Sequence, residues 1–474
     1  MSWTTQRFQQ FGDRPIAASE SGTVTYAGFI KKIGQWRDAL QRWGVVAGDR
    51  VGLVSDHHIE VVALLLALLD TGCIVIPLSE DDRSLFGERL KTACANRLIT
   101  VATDGAVDPS TTQCRSLDFD EAAMHPLLRP MVADGAPGFV IFTSGSTGKG
   151  KAVLFDYARL TRSYRTKTRE ALRTLLFYKF DHIGGLDTLF YVIFNGGTLV
   201  TCASRQTRDI CACIERHAVE LLPATPSFLT MLLMSGAHGS HDLSSLKVIS
   251  YGTEVMPQST LAGLQRAFPG VALKQTYGLS ELGVLATRSR DSSSKWMTIG
   301  GAGVALNVKD GTLWIKSEQA MLGYLNAPSP FDQNGWYNTG DQVEVDGEYF
   351  RILGRASEVI NVAGEKAFPA EIESFLLTLE NVKDVIVRSK KSPVVGHMVW
   401  AEFLLKEVED PGAFRKRITG QCQRHLAPFK VPGFITIART DHWVGSRFKK
   451  IRHSGEEPFN GEALANHEKN SALL

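Results

Sequence analysis

The chain has 474 residues, more than one hydrophobic core usually supports, so at least two domains are expected. A formal net charge of +2 lacks the basic excess of a nucleic-acid-binding protein, so no nucleic-acid partner is expected. The chain begins without an apolar signal-peptide core, its longest apolar run (61–69) is too short to span a bilayer, and its seven cysteines are scattered. These features favour a cytoplasmic protein with reduced thiols and no membrane partner.

The first 80 residues alternate between strand and helix patterns. Strand patterns at 15–18 and 73–78, and a turn followed by a strand at 45–54, are separated by helical patterns at 30–43 and 58–69. Strands that alternate with helices predict an α/β fold with mixed, largely parallel sheets flanked by helices.

A stretch rich in glycine and hydroxyl groups follows, with the sequence Thr143-Ser-Gly-Ser-Thr-Gly-Lys-Gly-Lys151. It lies between two apolar runs, 139–142 and 152–155. Glycine lets the backbone approach a ligand closely, and free N–H groups, hydroxyls and ammonium groups suit phosphate oxygens. The stretch therefore predicts a phosphate-binding loop.

Two other interpretations of this loop are open. Residues 145–151 fit the first seven positions of the kinase and ATPase P-loop, G-x-x-x-x-G-K-[ST]. Ala152 takes the eighth position, where a hydroxyl would hold magnesium, and the next residues look like a strand rather than a helix. The second alternative is an exposed hairpin turn, because serine, glycine and lysine are common in turns.

Further blocks follow the loop in a fixed order. They are 177–186 (FYKFDHIGGL), 246–254 (LKVISYGTE), 275–281 (QTYGLSE), 335–341 (GWYNTGD), 349–355 (YFRILGR), 427–432 (APFKVP) and 444–452 (VGSRFKKIR). Together with the loop they resemble the adenylate-forming superfamily of acyl-CoA synthetases, aryl-acid ligases and adenylation domains, whose loop reads T-S-G-[ST]-T-G-x-P-K-G. Gly150 replaces the proline of that pattern and Ala152 its last glycine. The resemblance covers roughly residues 20–453.

The resemblance implies a site for ATP and Mg²⁺. Tyr277 would stack on adenine, Ser280 would touch the α-phosphate, and Glu281 would hold Mg²⁺, which prefers carboxylate oxygen. Asp341 would accept hydrogen bonds from the ribose hydroxyls, and Arg355 would reinforce the ribose and phosphate side. The other residues implied in nucleotide binding are Thr143, Ser144, Gly145, Ser146, Thr147, Lys151, Gly252, Thr253, Glu254, Thr276, Gly278 and Lys450.

An acyl pocket is implied by the same register. Its lining would be His182, Ile183, Asp187, Tyr251, Thr276 and Val284. Amino-acid-activating relatives carry an aspartate where Ile183 falls, and Ile183 cannot pair with an ammonium group, so the acid should lack an α-amino group. A register shifted toward Asp181 would weaken that inference. His182 is either a core histidine or a lid over the pocket, and Asp187 would meet a polar substituent of an aryl or short acid.

The resemblance also implies a large N-terminal domain (1–356) for ATP and the acid, and a small mobile α+β lid (357–474). Ser357 stands at the usual hinge and Gly364 would border the tunnel for the thiol. Relatives end the lid with a lysine that stabilises charge on the α-phosphate, and Lys450 fits this position best. Lys449 is a rival, and an ordinary basic surface run (447–452) is the structural alternative.

The implied reaction has two halves. A carboxylic acid attacks ATP to give acyl-AMP and pyrophosphate, with Glu281, Thr143, His182 and Lys450 as the catalytic residues. The acyl group then passes to the thiol of CoA or, alternatively, to the phosphopantetheine of a separate carrier protein. Functions of other classes remain open at this stage: a P-loop phosphotransferase and a non-catalytic nucleotide-binding scaffold.

Overall fold

A computed structural model describes residues 2–19, 22–55, 57–101, 107–143, 150–202, 204–392, 396–440, 443 and 450. The described residues divide into a larger unit, 2–353, and a smaller unit, 354–440 with 443 and 450. The domain boundary expected at 356/357 stays a prediction. None of the helices in these ranges is long and apolar enough to cross a membrane.

The larger unit combines strands and helices along its whole length. Its strands are β1 (Pro15–Ser19), β2 (Gly22–Thr25), β3 (Arg50–Val54), β4 (Ile74–Leu78), β5 (Arg97–Thr100), β6 (Gln113–Ser116), β7 (Gly138–Phe142), β8 (Ala152–Asp156), β9 (Arg173–Leu175), β10 (Thr198–Val200), β11 (Leu221–Ala224), β12 (Val248–Tyr251), β13 (Ala272–Gln275), β14 (Tyr277–Leu279), β15 (Gly283–Ser289), β16 (Met297–Gly300), β17 (Val304–Lys309), β18 (Thr312–Ser317), β19 (Gly323–Tyr324), β20 (Tyr337–Asp346) and β21 (Tyr349–Arg355). Its helices are α1 (Trp3–Gln9), α2 (Tyr26–Arg42), α3 (Ile59–Thr71), α4 (Phe86–Thr92), α5 (Leu128–Asp134), α6 (Tyr157–Thr166), α7 (Ile183–Phe194), α8 (Thr207–His217), α9 (Pro226–Ser235) and α10 (Gln258–Ala267).

Two sheets of the larger unit contain mainly parallel strands in their centres. One has the order β13-β12-β11-β9-β10-β1-β2, with only β1–β2 antiparallel. The other has the order β19-β8-β7-β4-β3-β5-β6, with β7, β4, β3 and β5 parallel to one another. Helix α3 packs in the core beside the second sheet because almost its whole surface is apolar and buried. The predicted α/β class is confirmed for these layers.

The third sheet differs from the largely parallel arrangement that we expected. Its order is β14-β15-β16-β21-β20-β18-β17, and the pairings described along it are antiparallel. Strand β17 alternates between half-buried and exposed residues, as a sheet with one solvated face requires. Strand β14 of this sheet contains residues 277–279 of the 275–281 block, and β20 contains residues 337–341 of the 335–341 block.

The smaller unit is an α+β structure. Its elements are β22 (Ile360–Val362), β23 (Glu365–Ala367), α11 (Pro369–Leu376), β24 (Val382–Ser392), β25 (Gly396–Leu405), α12 (Pro411–His425) and β26 (Phe434–Ile437). They form a sheet of order β23-β22-β25-β24, with β26 parallel to β25. A core that includes Ile372, Phe403, Phe414 and Ile418 joins the helices to this sheet. The α+β class predicted for this part of the chain is confirmed.

Candidate active site

The glycine-rich loop connects two neighbouring antiparallel strands, β7 and β8. At its base, the Thr143 backbone N–H donates to the Lys151 carbonyl (3.0 Å), and the Lys151 N–H donates to the Thr143 hydroxyl (3.2 Å). Ser144, Gly145, Ser146 and Thr147 lie outside the described residues. Because a strand and not a helix follows the loop, the P-loop alternative is wrong.

The position where relatives carry proline is tightly enclosed in this structure. A Cβ atom on Gly150 would lie 2.6 Å from the carbonyl oxygen of Thr143, which is closer than real Cβ contacts. Asn326 holds the same corner: its Nδ2 donates to the Gly150 carbonyl (2.9 Å), and its Oδ1 accepts from the Ala152 N–H (2.8 Å). Sequence reasoning missed Asn326, which is 174 positions from its partner Ala152.

Glu281 and Lys151 meet at one tyrosine that the sequence did not single out. The Tyr324 hydroxyl donates to Oε1 of Glu281 (2.6 Å), and the Lys151 ammonium lies 5.0 Å from the centre of the Tyr324 ring. Burial, reinforced by the charge of Glu281, raises the pKa of Tyr324, so the phenol stays protonated as a donor. The structure therefore joins the end of the loop to the predicted metal-binding carboxylate.

Glu281 offers chemistry that suits Mg²⁺. Its Oε2 accepts no hydrogen bond from the described part of the chain, whereas its backbone carbonyl is fixed by the Met321 N–H (2.8 Å). No group of three or more histidine, cysteine, aspartate or glutamate side chains that could hold a metal exists within the described ranges. Mg²⁺ in nucleotide enzymes usually takes one or two carboxylates plus phosphate oxygens, so a single carboxylate fits that pattern.

The predicted adenine and ribose residues are in direct contact. The Tyr277 hydroxyl donates to Oδ2 of Asp341 at 2.6 Å, and both side chains are buried. Asp341 is held further by its own N–H, which donates to the Thr339 hydroxyl (3.0 Å). Gly340, with φ of +71°, makes the turn that a residue with a Cβ would strain. Gly278 lies in β14 directly after Tyr277, and Ser280 follows the last residue of that strand, before β15.

The 251–254 turn packs against Thr276. The Thr276 N–H donates to the Tyr251 carbonyl (2.7 Å), and a Cβ on Gly252 would lie 2.4 Å from the Thr276 hydroxyl oxygen. Thr253 has φ of +71°, which is strained for a β-branched residue. Strain of this kind is concentrated at functional turns and needs surrounding contacts to maintain it.

Glu254 anchors this turn to helix α9. Its Oε2 accepts hydrogen bonds from the hydroxyl (2.7 Å) and the N–H (3.2 Å) of Ser227, in the first turn of α9. A carboxylate at a helix N-terminus is favoured by the unpaired N–H groups and the helix dipole. The described contacts of Glu254 therefore give it a positioning role, and its predicted contact with a nucleotide stays a prediction.

Three of the predicted acyl-pocket residues line one small cavity. Its lining is Leu160, Ile183, Leu186, Asp187, Phe190, Gly283, Val284 and Gln319. Its volume of about 20 Å³ holds about one water molecule. His182, Tyr251 and Thr276 do not line it.

Asp187 is the acidic member of this mainly apolar lining. Burial raises its pKa to about 6, against the lowering effects of Arg169, of a hydrogen bond from Tyr164 and of Lys274. The Tyr164 hydroxyl stands 3.5 Å from Oδ1, at the outer limit of a hydrogen bond. A carboxylate with so weak a partner in an apolar wall would be stabilised by a ligand that donates a hydrogen bond.

His182 begins helix α7 as its N-cap. Its Nδ1 accepts a hydrogen bond from the Gly184 N–H at 3.0 Å, and its ring stacks on Tyr178 with centroids 5.9 Å apart. An accepting Nδ1 requires the neutral tautomer with its proton on Nε2. Capping is a structural function that the sequence did not reveal, and the catalytic role of His182 stays a prediction.

The smaller unit contains the remaining predicted residues. Gly364 has φ of +94° in the β22–β23 turn, where its N–H donates to Oδ1 of Asn361 (2.9 Å). Arg355 is exposed at the end of β21, whose last two residues belong to the smaller unit. Lys450 donates from Nζ to Oδ1 of Asp384 (2.8 Å) and to the Val385 carbonyl (2.6 Å). Lys449 lies outside the described residues, so the choice between the two lysines stays open.

Comparison with known proteins shows the family to which this chain is similar. The model of the family described as AMP-binding enzyme matches residues 4–325. The 2-succinylbenzoate–CoA ligase of Bacillus subtilis is 26% identical over 98% of this chain and 99% of its own length. The putative acyl–CoA ligase YdaB of the same organism is 25% identical over 88% of this chain and 91% of that protein.

Solved structures share the fold. A crystal structure of the anthranilate CoA ligase AuaEII with anthranoyl-AMP has a TM-score of 0.78 at 18% identity, covering 99% of this chain and 98% of that chain. The o-succinylbenzoate CoA synthetase of Bacillus subtilis, in complex with its acyl-adenylate, has a TM-score of 0.74 at 22% identity, covering 97% and 98%. The resemblance drawn from the motifs is confirmed. Because the family model matches more than half of its length, the chain belongs to the AMP-binding enzyme family.

Proposed function

We propose that this protein is an ATP-dependent acid–thiol ligase. It activates a carboxylic acid as acyl-AMP, releases pyrophosphate, and transfers the acyl group to CoA. The observation that carries the proposal is the contact between two separate motifs, Tyr277 with Asp341, together with Tyr324, which contacts both Glu281 and Lys151. Membership of the AMP-binding enzyme family supports the same activity.

The first half-reaction brings two anions together. An oxygen of the substrate carboxylate attacks the α-phosphorus, the bond to the bridging oxygen breaks, and pyrophosphate leaves with that electron pair. Such a step needs positioning and charge stabilisation more than acid–base chemistry. In this proposal Lys151, Thr143 and the loop hydroxyls contact the phosphates, Asp341 accepts from the ribose, and Glu281 holds Mg²⁺, which neutralises phosphate charge when bound.

The second half-reaction forms the thioester. The thiol sulfur of CoA attacks the acyl carbonyl carbon, AMP leaves from it, and the thiol proton passes to solvent. The curated relatives described above are named CoA ligases, which favours CoA over a carrier protein. We further propose that the smaller domain turns about Ser357 between the two steps, so that the Gly364 turn faces the site when the thiol attacks.

The substrate in this proposal is an aryl or short acid without an α-amino group. Ile183, which lines the cavity, cannot pair with an ammonium group, so activation of an amino acid is disfavoured. Asp187 favours an acid with a hydrogen-bond donor away from its carboxyl group. The relatives named for 2-succinylbenzoate and anthranilate support an aromatic substrate.

The test is acid-dependent exchange of labelled pyrophosphate into ATP. Benzoate, hydroxybenzoates, aminobenzoates and 2-succinylbenzoate are supplied singly with Mg²⁺, and we expect exchange with at least one of them. E281Q should reduce exchange by about 100-fold or more, since it removes a group that stabilises transition-state charge. E318Q is the matched control, because Glu318 is an exposed carboxylate that pairs with the exposed Arg162.

The acceptor is tested separately by supplying CoA to the activated acid. Mass spectrometry should detect the CoA thioester together with one AMP for each thioester formed. Exchange without a thioester would favour the carrier-protein alternative. Absence of exchange with every acid would contradict the proposed activity itself.

A further inference from the structure

The smaller unit contains a carboxylate that is surrounded by donors. Asp384 lies where the register of β24 against β25 shifts, between Val382 and Asp384, and irregularities of this kind redirect side chains. Its Oδ1 accepts from Lys450 Nζ (2.8 Å) and from the Val385 N–H (2.8 Å). Its Oδ2 accepts from the indole N–H of Trp443 (2.8 Å).

Lys450 is strongly engaged at this carboxylate. Besides the pair with Asp384, its ammonium donates to the Val385 carbonyl at 2.6 Å. The exposed fractions of the Lys450 and Asp384 side chains are 10% and 16%, and that of Trp443 is 1%. An ammonium group has three N–H donors, so these contacts use two of them in a partly desolvated place.

We infer that Asp384 is a positioning residue that competes with the nucleotide for Lys450. The inference rests on the proposed function, in which Lys450 stabilises charge on the α-phosphate during adenylation. A positive charge that Asp384 neutralises stabilises a phosphate less, so the pair has to open before Lys450 can give its full charge to the nucleotide. Only the molecules in which the pair is open can then adenylate, so the apparent rate is the intrinsic rate multiplied by their fraction.

A purely stabilising role explains the pair less well. Desolvation of two charges offsets much of their attraction, and apolar side chains of similar size often stabilise a fold equally. A charge pair here has a different use: it withholds the Lys450 ammonium from the nucleotide when adenylation is complete. The indole of Trp443 donates to the other oxygen of this carboxylate, Oδ2, and leaves the Lys450 contact at Oδ1 unchanged.

The experiment compares the two half-reactions in the full chain. D384N keeps the shape of the side chain but removes its charge. We expect kcat/KM for ATP in pyrophosphate exchange to rise by about threefold to tenfold, the gain when a partly closed state is opened. The rate of thioester formation from supplied acyl-AMP and CoA should not rise with it, because Lys450 is not needed there.

Two further variants complete the test. W443F removes the indole donor but keeps the charge of Asp384, so its exchange rate should stay within about twofold of wild type, since the ion pair remains. K450A should abolish most exchange and leave the second half-reaction intact. Thermal unfolding of each variant shows whether the smaller domain is folded.

Several results would overturn the inference. One is an equal fall of both half-reactions in folded D384N, as expected if Asp384 only stabilises the domain. Another is a rise of exchange in W443F equal to that in D384N. Normal exchange in K450A would refute the competition and point to Lys449, while the proposed function would survive. Absence of exchange in the wild type would instead refute the proposed function, and this inference with it.

Discussion

The contact between Tyr277 and Asp341 gives the sharpest test of the site geometry. Y277F removes only the hydroxyl that donates to Oδ2 at 2.6 Å and keeps the ring. A hydrogen bond to a charged group contributes about 1.5–3 kcal/mol. Both side chains are more than nine-tenths buried, so water does not readily replace the lost donor. We therefore expect Y277F to lower the free energy of unfolding by about that amount.

Equilibrium urea unfolding of four proteins isolates this contact: wild type, Y277F, D341A and the double variant. If the hydroxyl acts through Asp341, Y277F should lower the free energy of unfolding by less than about 0.5 kcal/mol when it is made in D341A. The reason is that the coupling energy of a contacting pair disappears when one partner is removed. If Y277F lowers the free energy of unfolding equally in the wild-type and D341A proteins, the reasoning is refuted.

Three other expectations concern the loop, the metal-binding carboxylate and the acyl pocket. G150A should destabilise the protein by about 1–3 kcal/mol through overpacking. The control is G34A, because a Cβ at Gly34 meets no atom within 4 Å and should not destabilise the protein. Equal melting temperatures of the two variants would contradict the close contact at Gly150. Y324F should raise the Mg²⁺ concentration needed for exchange by several-fold, because Oε1 of Glu281 loses the donor that fixes it. An unchanged Mg²⁺ titration would show that Tyr324 does not position Glu281 for the metal. Burial raises the pKa of Asp187 from 3.8 to about 6, so its contribution to stability is complete below pH 4 and lost as the pH rises through 6. D187N should therefore be more stable than wild type at pH 7, by up to about 3 kcal/mol, with no gain at pH 4, as urea unfolding at both values would reveal.

Local patterns in the sequence predicted the elements that surround the loop. The apolar run at 139–142 and the run at 152–155 became β7 and β8, and the helical pattern at 58–69 became α3. These elements are specified by hydrophobic periodicity within a few residues, which sequence reasoning reads directly. The antiparallel third sheet was not foreseen, because pairing direction depends on contacts between distant segments.

The residues that the sequence missed act through long-range contacts. Tyr324 reaches Glu281 across 43 positions, and Trp443 reaches Asp384 across 59. Neither residue has a local pattern that separates it from an ordinary buried aromatic side chain. His182 illustrates a different limit, because a side chain that caps a helix and one that faces a pocket give the same sequence signal.

The departures of the loop from the family pattern form a single arrangement. Gly150 and Ala152 flank Lys151, and Asn326 contacts the backbone of both. Proline at 150 would restrict the backbone by its ring, whereas glycine leaves it free, so a distant side chain has to fix the corner. Asn326 does this with one donor and one acceptor, which sets the backbone direction on both sides of Lys151. Where the family pattern has a proline ring, a side-chain amide holds this corner of the loop.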